Sequence, residues 1–248
     1  RKKIYALKTL QALQMRAGPV LSYLDTEDLA GDKLPKRQVH EIDVAMSSQQ
    51  KDIYNFALDE AGPLTAWKIR RNLPLDDRES AKMHNALAQA RKASNSLSPF
   101  VRGMTLEQSA EQTPKVKRLL DDAQAHLEKM PDAKVVLYSN LIDGGIDVLA
   151  AGLRARGIDH GVFVGKDNEI GGDKVTSESR DQDVEDYKAG KKRVLVVSRA
   201  GAEGLNLKNS TGFFALDGHF NPEVIRQAEA RVRRLGGLKH RDPENRLV

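Results

Sequence analysis

From Asn221 to Gly237 the chain reads NPEVIRQAEARVRRLGG, with Gln227, Arg231 and Arg234 at i, i+4 and i+7. On an α-helix that spacing puts the three side chains on one stripe. A guanidinium is always charged, and its planar fork matches the oxygens of a phosphate. The stripe admits two readings: a solvated basic face, or donors aimed at a phosphoryl group. Ile225, Ala228, Val232 and Leu235 recur at spacings of three and four on another side, which predicts a buried side that holds the stripe rigid. Asn221 suits the N-cap, Pro222 the first helical position and Glu223 the positive end of the dipole, and Gly236-Gly237 suits the end.

Upstream lies SRAGAEGLNL, residues 198–207. Gly201 and Gly204 permit sharp turns and close approach to a ligand. Ser198 and Asn206 offer hydrogen bonds, and Glu203 a carboxylate. A plain strand-to-strand loop with two turn glycines explains the same residues. The spacing is not the Gly-x-Gly-x-x-Gly of a dinucleotide loop, which argues against a nicotinamide-dependent enzyme.

The elements that must position these stretches begin at Thr113. TPKVKRLLDDAQAHLEKMP predicts a helix with Thr113 as N-cap, Pro114 first, and Val116, Leu119, Leu120, Ala123 and Leu127 facing a core. KVVLYS, HGVFVG, RVLVVS and TGFFALD read as strands. Helices over about 145–156 and at RDQDVEDYKAG intervene, the latter with Val184 and Tyr187 inward and Gly190 as its stop. Strands alternating with helices imply an α/β domain with a parallel sheet covered on both faces. Ligands in such sheets sit at the carboxyl ends of the strands. KDNEIGGDKVTS, after the second strand, reads as a mobile polar loop.

Residues 1–112 differ. QVHEIDVAM alternates like a strand through Val39, Ile42, Val44 and Met46, and Ser47 with Gln50 suggests a capping box. A helix with Ile53, Phe56 and Ala57 on one face should stop at Gly62-Pro63, another should run from about Arg78 to Ala93, and SNSLSP reads as a link. The expected division is a helical lead-in, 1–112, and an α/β lobe, 113–248. Lys68, Arg70, Arg71, Arg91 and Lys92 are either a nucleic-acid surface or a solvated face.

The 248 residues carry a net charge of +5, mild enough that nucleic acid is a partner the balance permits without requiring. With no cysteine, disulfides and thiol chemistry are excluded, which fits an intracellular compartment. No apolar run reaches the roughly 20 residues of a membrane helix. The basic N-terminus lacks the long apolar centre of a signal peptide. With Arg at position 1, the chain reads as a piece of something longer.

SRAGAEGLNL followed by LDGHFNPEVIRQAEARVRRLGG resembles the last motifs of superfamily-two helicases, closest to the Swi/Snf-type DNA translocases. The resemblance rests on Gly204-Leu205-Asn206-Leu207, on Phe220-Asn221-Pro222, and on Gln227, Arg231, Arg234 and Gly236. KVVLYSN, the following helices with Arg180 and Tyr187, and LPKRQVHEIDVAMSSQQKDIY extend it. Phe220 stands where that group mostly has Trp, Ala230 where an acid is common, and Gly237 where Gln is usual; a viral or phage relative fits these departures.

The resemblance implies a RecA-like three-layer lobe, the second of two, with ATP and Mg²⁺ held mainly by a first lobe. No phosphate loop or Asp-Glu box occurs here, so the chain alone should not hydrolyse ATP. It implies that Arg231 and Arg234 reach the γ-phosphate, that Gln227 orients the phosphate or the attacking water, and that Gly204, Asn206 and Glu203 face the nucleotide. Ser198, Arg199, Ser139, Asn140 and Arg180 would touch nucleic acid, with double-stranded DNA as the implied partner. The alternative is a degenerate lobe kept as a nucleic-acid or protein-binding module.

Overall fold

A computed structural model describes residues 34–199, 205–218, 221–234 and 237–238. Three helices lead in: α1 (Ser48–Asp59), α2 (Pro63–Arg70) and α3 (Asp77–Asn95). Then follow α4 (Leu106–Gln112), α5 (Pro114–Lys129), β1 (Val135–Ser139), a single π turn at Ile142–Ile146, α6 (Asp147–Ala155) and β2 (His160–Phe163). A hairpin of β3 (Asn168–Ile170) and β4 (Asp173–Val175) precedes α7 (Ser177–Ala189), β5 (Val194–Ser198), β6 (Gly212–Ala215) and α8 (Pro222–Val232).

The main sheet has the order β2-β5-β1-β6, and every pair in it is parallel. Because strand side chains alternate, Val135, Leu137, Val194 and Val196 enter one core with the stripe of α5 and with Leu149 and Leu153 of α6. Val136, Tyr138, Leu195 and Val197 enter a second core with Val184 and Tyr187 of α7 and Ala228 and Val232 of α8. The predicted three-layer α/β arrangement is thus observed, with α8 fixed against the sheet by its apolar side.

Several local expectations fail for physical reasons. QVHEIDVAM is not a strand: none of the described strands pairs with it, and Val39, Ile42 and Met46 are exposed. Alternation makes a strand only where a neighbour completes the ladder. Ser47 does accept from the Gln50 backbone at 3.2 Å, but the Gln50 amide turns to Ala93 and Ser94 carbonyls instead of closing a capping box. Phe56 is exposed while Ala57 and Leu58 are buried. The first helix does stop before Gly62-Pro63, ending at Asp59, and Pro63 then opens α2, where its missing N–H costs nothing. Thr113 sits at the N-cap of α5, but its hydroxyl makes no capping bond and is buried without a partner.

The link at 94–99 is packed, with Asn95, Ser96 and Leu97 buried. The Ser109 hydroxyl accepts from Leu97 N–H at 2.8 Å and lies 2.9 Å from Ser96 Oγ, so polar residues are satisfied without water. KDNEIGGDKVTS is a built hairpin. Gly171 and Gly172 take positive φ at its turn, and Arg154 of α6 holds the Gly171 carbonyl and the Asp173 carboxylate.

Candidate functional site

The carboxyl ends of β1 and β6 meet at one buried carboxylate. Asp217, just past β6, accepts from the Asn140 backbone at 2.9 Å, from the Asn140 side-chain amide at 3.0 Å, and from the Ser139 hydroxyl. Asn95, the last residue of α3, adds its amide at 3.1 Å, and Arg91 lies 3.7 Å away while also donating to the Gly218 carbonyl. Lys115 stands beside this cluster, and burial pushes its ammonium below the usual lysine range. The helical lead-in therefore docks on the strand ends, and Asp217 fixes where the chain turns towards α8. Gly145 closes the cluster from the π turn: a Cβ there would strike Ser139 Oγ.

On α8, Asn221 caps the helix by accepting from Glu223 N–H at 3.0 Å. Gln227 is exposed and Arg231 half-buried, one turn apart. The helix ends at Val232 and Arg233 leaves helical geometry, so Arg234 lies past the end. The expected i, i+4, i+7 stripe holds only for its first two members. Arg234 is placed by the turn behind it: Gly237 N–H donates to the Arg234 carbonyl at 2.9 Å, and Leu238 N–H to Asn209 Oδ1 at 2.8 Å. Leu207 N–H donates to the Arg231 carbonyl at 3.1 Å, tying the segment 205–207 to the same helix end. Tyr187, whose buried hydroxyl is pushed upward in pKa, anchors that segment through Ser210.

Among the described residues, neither the Arg231 nor the Arg234 guanidinium has a hydrogen-bond or ion-pair partner, and Arg234 Nε is buried with none. A buried donor left unsatisfied is costly. Two guanidinium groups so held fit an anionic ligand such as a polyphosphate. Among the described residues, no three His, Asp or Glu side chains gather as a metal site needs.

The remaining sites fare differently. Asn206 and Arg199 are exposed. Ser139 and Ser198 are buried, and the Ser139 hydroxyl already donates to Asp217, so it offers nothing to a phosphate. Asn140 also commits its amide inward, but stays half-buried. Arg180 holds its own chain, donating to the Val164 carbonyl at 2.9 Å and pairing with Asp167 at 3.2 Å. Gly201, Glu203, Gly204, Phe220, Leu235 and Gly236 lie outside the described residues. Lys68 pairs with Glu79, Arg70 with Asp59 and Lys92 with Asp143, while Arg71 stacks over Trp67. Sequence reasoning missed Asp217 and Asn95, and named Arg91 only as part of a basic face. Only Asp217 carried a signal, as an acid at the carboxyl end of a strand.

Residues 115–236, about half of the chain, match the helicase conserved C-terminal domain family. A putative ATP-dependent RNA helicase of Acanthamoeba polyphaga mimivirus is 31% identical over 102 residues, 41% of this chain and 21% of its own length. A probable global transactivator of Orgyia pseudotsugata multicapsid polyhedrosis virus is 31% identical over 133 residues, 52% of this chain and 25% of its own. The chain thus spans a quarter or less of the relatives it matches. Among solved structures, the C-terminal part of the Fun30 ATPase domain aligns with a TM-score of 0.61 at 18% identity, covering 82% of each chain. That likeness establishes the RecA-like fold. No helix among the described residues is long and apolar enough to cross a membrane.

Proposed function

Residues 115–236 match the helicase conserved C-terminal domain family, and from that premise we propose that this chain is the second motor lobe of an ATP-dependent nucleic-acid translocase. The observation that carries the reading is that Arg231 and Arg234, half-buried at and just past the end of α8, have no partner among the described residues. In the closed enzyme these arginines reach the γ-phosphate of ATP bound by a first lobe and stabilise the charge that develops as the phosphoryl group departs. Gln227, exposed one turn before Arg231, orients the attacking water or a phosphate oxygen. Asn206, with Gly204 and Glu203 just upstream, faces the nucleotide, because the 205–207 segment is bonded to the Arg231 carbonyl. Mg²⁺, held mainly by the first lobe, would neutralise the phosphates.

Arg199 and the outer edge of Asn140, at the carboxyl ends of β5 and β1, grip the nucleic-acid backbone. Duplex DNA is the proposed substrate, on the resemblance to Swi/Snf-type motors, within an intracellular setting that the viral relatives make viral. The rival reading, a lobe kept only as a binding module, is disfavoured by the same pair: a chain freed from phosphate chemistry would gain by losing a buried, unsatisfied Arg234 Nε. The deciding experiment joins the lobe to its ATP-binding half and replaces Arg234 with Ala. ATP turnover should fall by ~10³-fold or more; unchanged turnover rejects the assignment.

A further inference from the structure

The helix that carries the arginines is gripped by the chain that leads into the lobe. Pro35 is buried, and its carbonyl accepts from Arg233 Nε at 2.6 Å. The Pro35 ring also lies 3.5 Å from where a Cβ on Gly237 would sit, against the turn that places Arg234. Two residues on, Arg37 forks onto Glu229: Nη2 donates to Oε2 at 3.0 Å and Nε to Oε1. Glu229 and Arg233 lie two residues either side of Arg231. The lead-in thus holds α8 and the turn after it at points flanking both Arg231 and Arg234. A bidentate Arg–carboxylate pair fixes orientation as well as distance.

We propose that residues 34–37 form a clip that aims Arg231 and Arg234, with Arg37 and Glu229 as positioning residues. This rests on the reading of those arginines as phosphate ligands. The Arg37 side chain is 45% exposed and that of Glu229 18%, so as a stability device the pair is weak. As an aiming device it is strong, because a misplacement of about 1 Å near a reacting centre costs on the order of a hundredfold in rate. Residues 34–37 are also the covalent way into the lobe from the N-terminal side. A pull on the preceding chain is therefore delivered directly to Glu229 and Arg233. The clip couples the relative position of whatever precedes the lobe to the aim of the catalytic pair.

The test uses the full-length polypeptide with both lobes, measuring kcat and KM for ATP separately, together with the unfolding midpoint. Arg37→Ala should lower kcat by about tenfold to a hundredfold, with KM and the midpoint little changed. Arg37→Lys, which keeps the charge but loses the fork, should recover only part. Reversing the pair, Arg37→Glu with Glu229→Arg, should restore more activity than either reversal alone. If Arg37→Ala lowers the midpoint, Glu229→Gln, which preserves shape, carries the same expectation. An unchanged kcat in both Arg37→Ala and Glu229→Gln overturns the clip, as does a loss that neither lysine nor charge reversal relieves. Arg231→Ala measured alongside separates the two ideas. If it abolishes turnover while the clip variants leave kcat unchanged, only the clip is wrong; if it leaves turnover intact, the phosphate reading itself has failed.

Discussion

Lys68, Arg70, Lys92 and Arg91 in the helical lead-in face Glu79, Asp59, Asp143 and Asp217, whereas Arg231 and Arg234 face no acid among the described residues. The fold neutralises the first group internally. The second group is small, yet Leu207 bonds to the Arg231 carbonyl, and Asn209 and Pro35 hold the turn that follows Arg234. The contrast teaches that a cluster of cations in sequence is not a footprint for a polyanion. What marks a candidate site is half-buried cationic charge left unmatched among the described residues.

The comparison is sharpest where rate and stability part ways. Arg231→Ala in the two-lobe enzyme should cost ~10³ to 10⁵ in ATP turnover. In the 248-residue chain, Arg234→Ala should leave the urea unfolding free energy unchanged, or raise it by up to about 1 kcal/mol as a buried unsatisfied donor disappears. A loss above about 2 kcal/mol would make the guanidinium structural and dissolve the contrast.

Next in size is Asp217→Ala. It strips the acceptor from Ser139, Asn140 and Asn95 and leaves Arg91 without its counter-charge. Urea unfolding should show about 3 kcal/mol of destabilisation; a loss below about 1 kcal/mol would mean that the cluster does not hold the lead-in to the sheet. Gly145→Ala should cost about 1 to 3 kcal/mol by the same measurement, because the new methyl meets Ser139 Oγ. Smallest is Arg70→Ala, whose ion pair is half-exposed on both sides. It should change stability by under about 0.5 kcal/mol and leave the salt dependence of duplex affinity where it was. A reduced salt slope would put this helix on the nucleic acid after all.

Much of the lobe was legible. The stripe Val116, Leu119, Leu120, Ala123 and Leu127 is buried as its spacing required, the strands lie at the apolar runs, and Gly190 ends α7 in a left-handed conformation. The lead-in was less legible, because its marks depend on remote partners. Val39 and Ile42 alternate without a neighbouring strand, and polar Asn95 and Ser96 are buried because Asp217 and Ser109 receive them. At the candidate site, Gln227 and Arg231 were placed by period, but Arg234 was not, since the helix stops at Val232.

By itself the sequence determined the strands of the main sheet and the helices that cover it, and that arginines cluster at the end of the last helix. Those properties follow from spacings of two to four residues, which local sterics and apolar periodicity decide. Only the tertiary structure decided which charges are matched. The Asn140–Asp217, Asn95–Asp217 and Arg37–Glu229 contacts join residues 77, 122 and 192 positions apart. No local pattern encodes such distances. They follow from stacking strands and helices into layers, and the layering leaves Arg231 and Arg234 without an acid among the described residues.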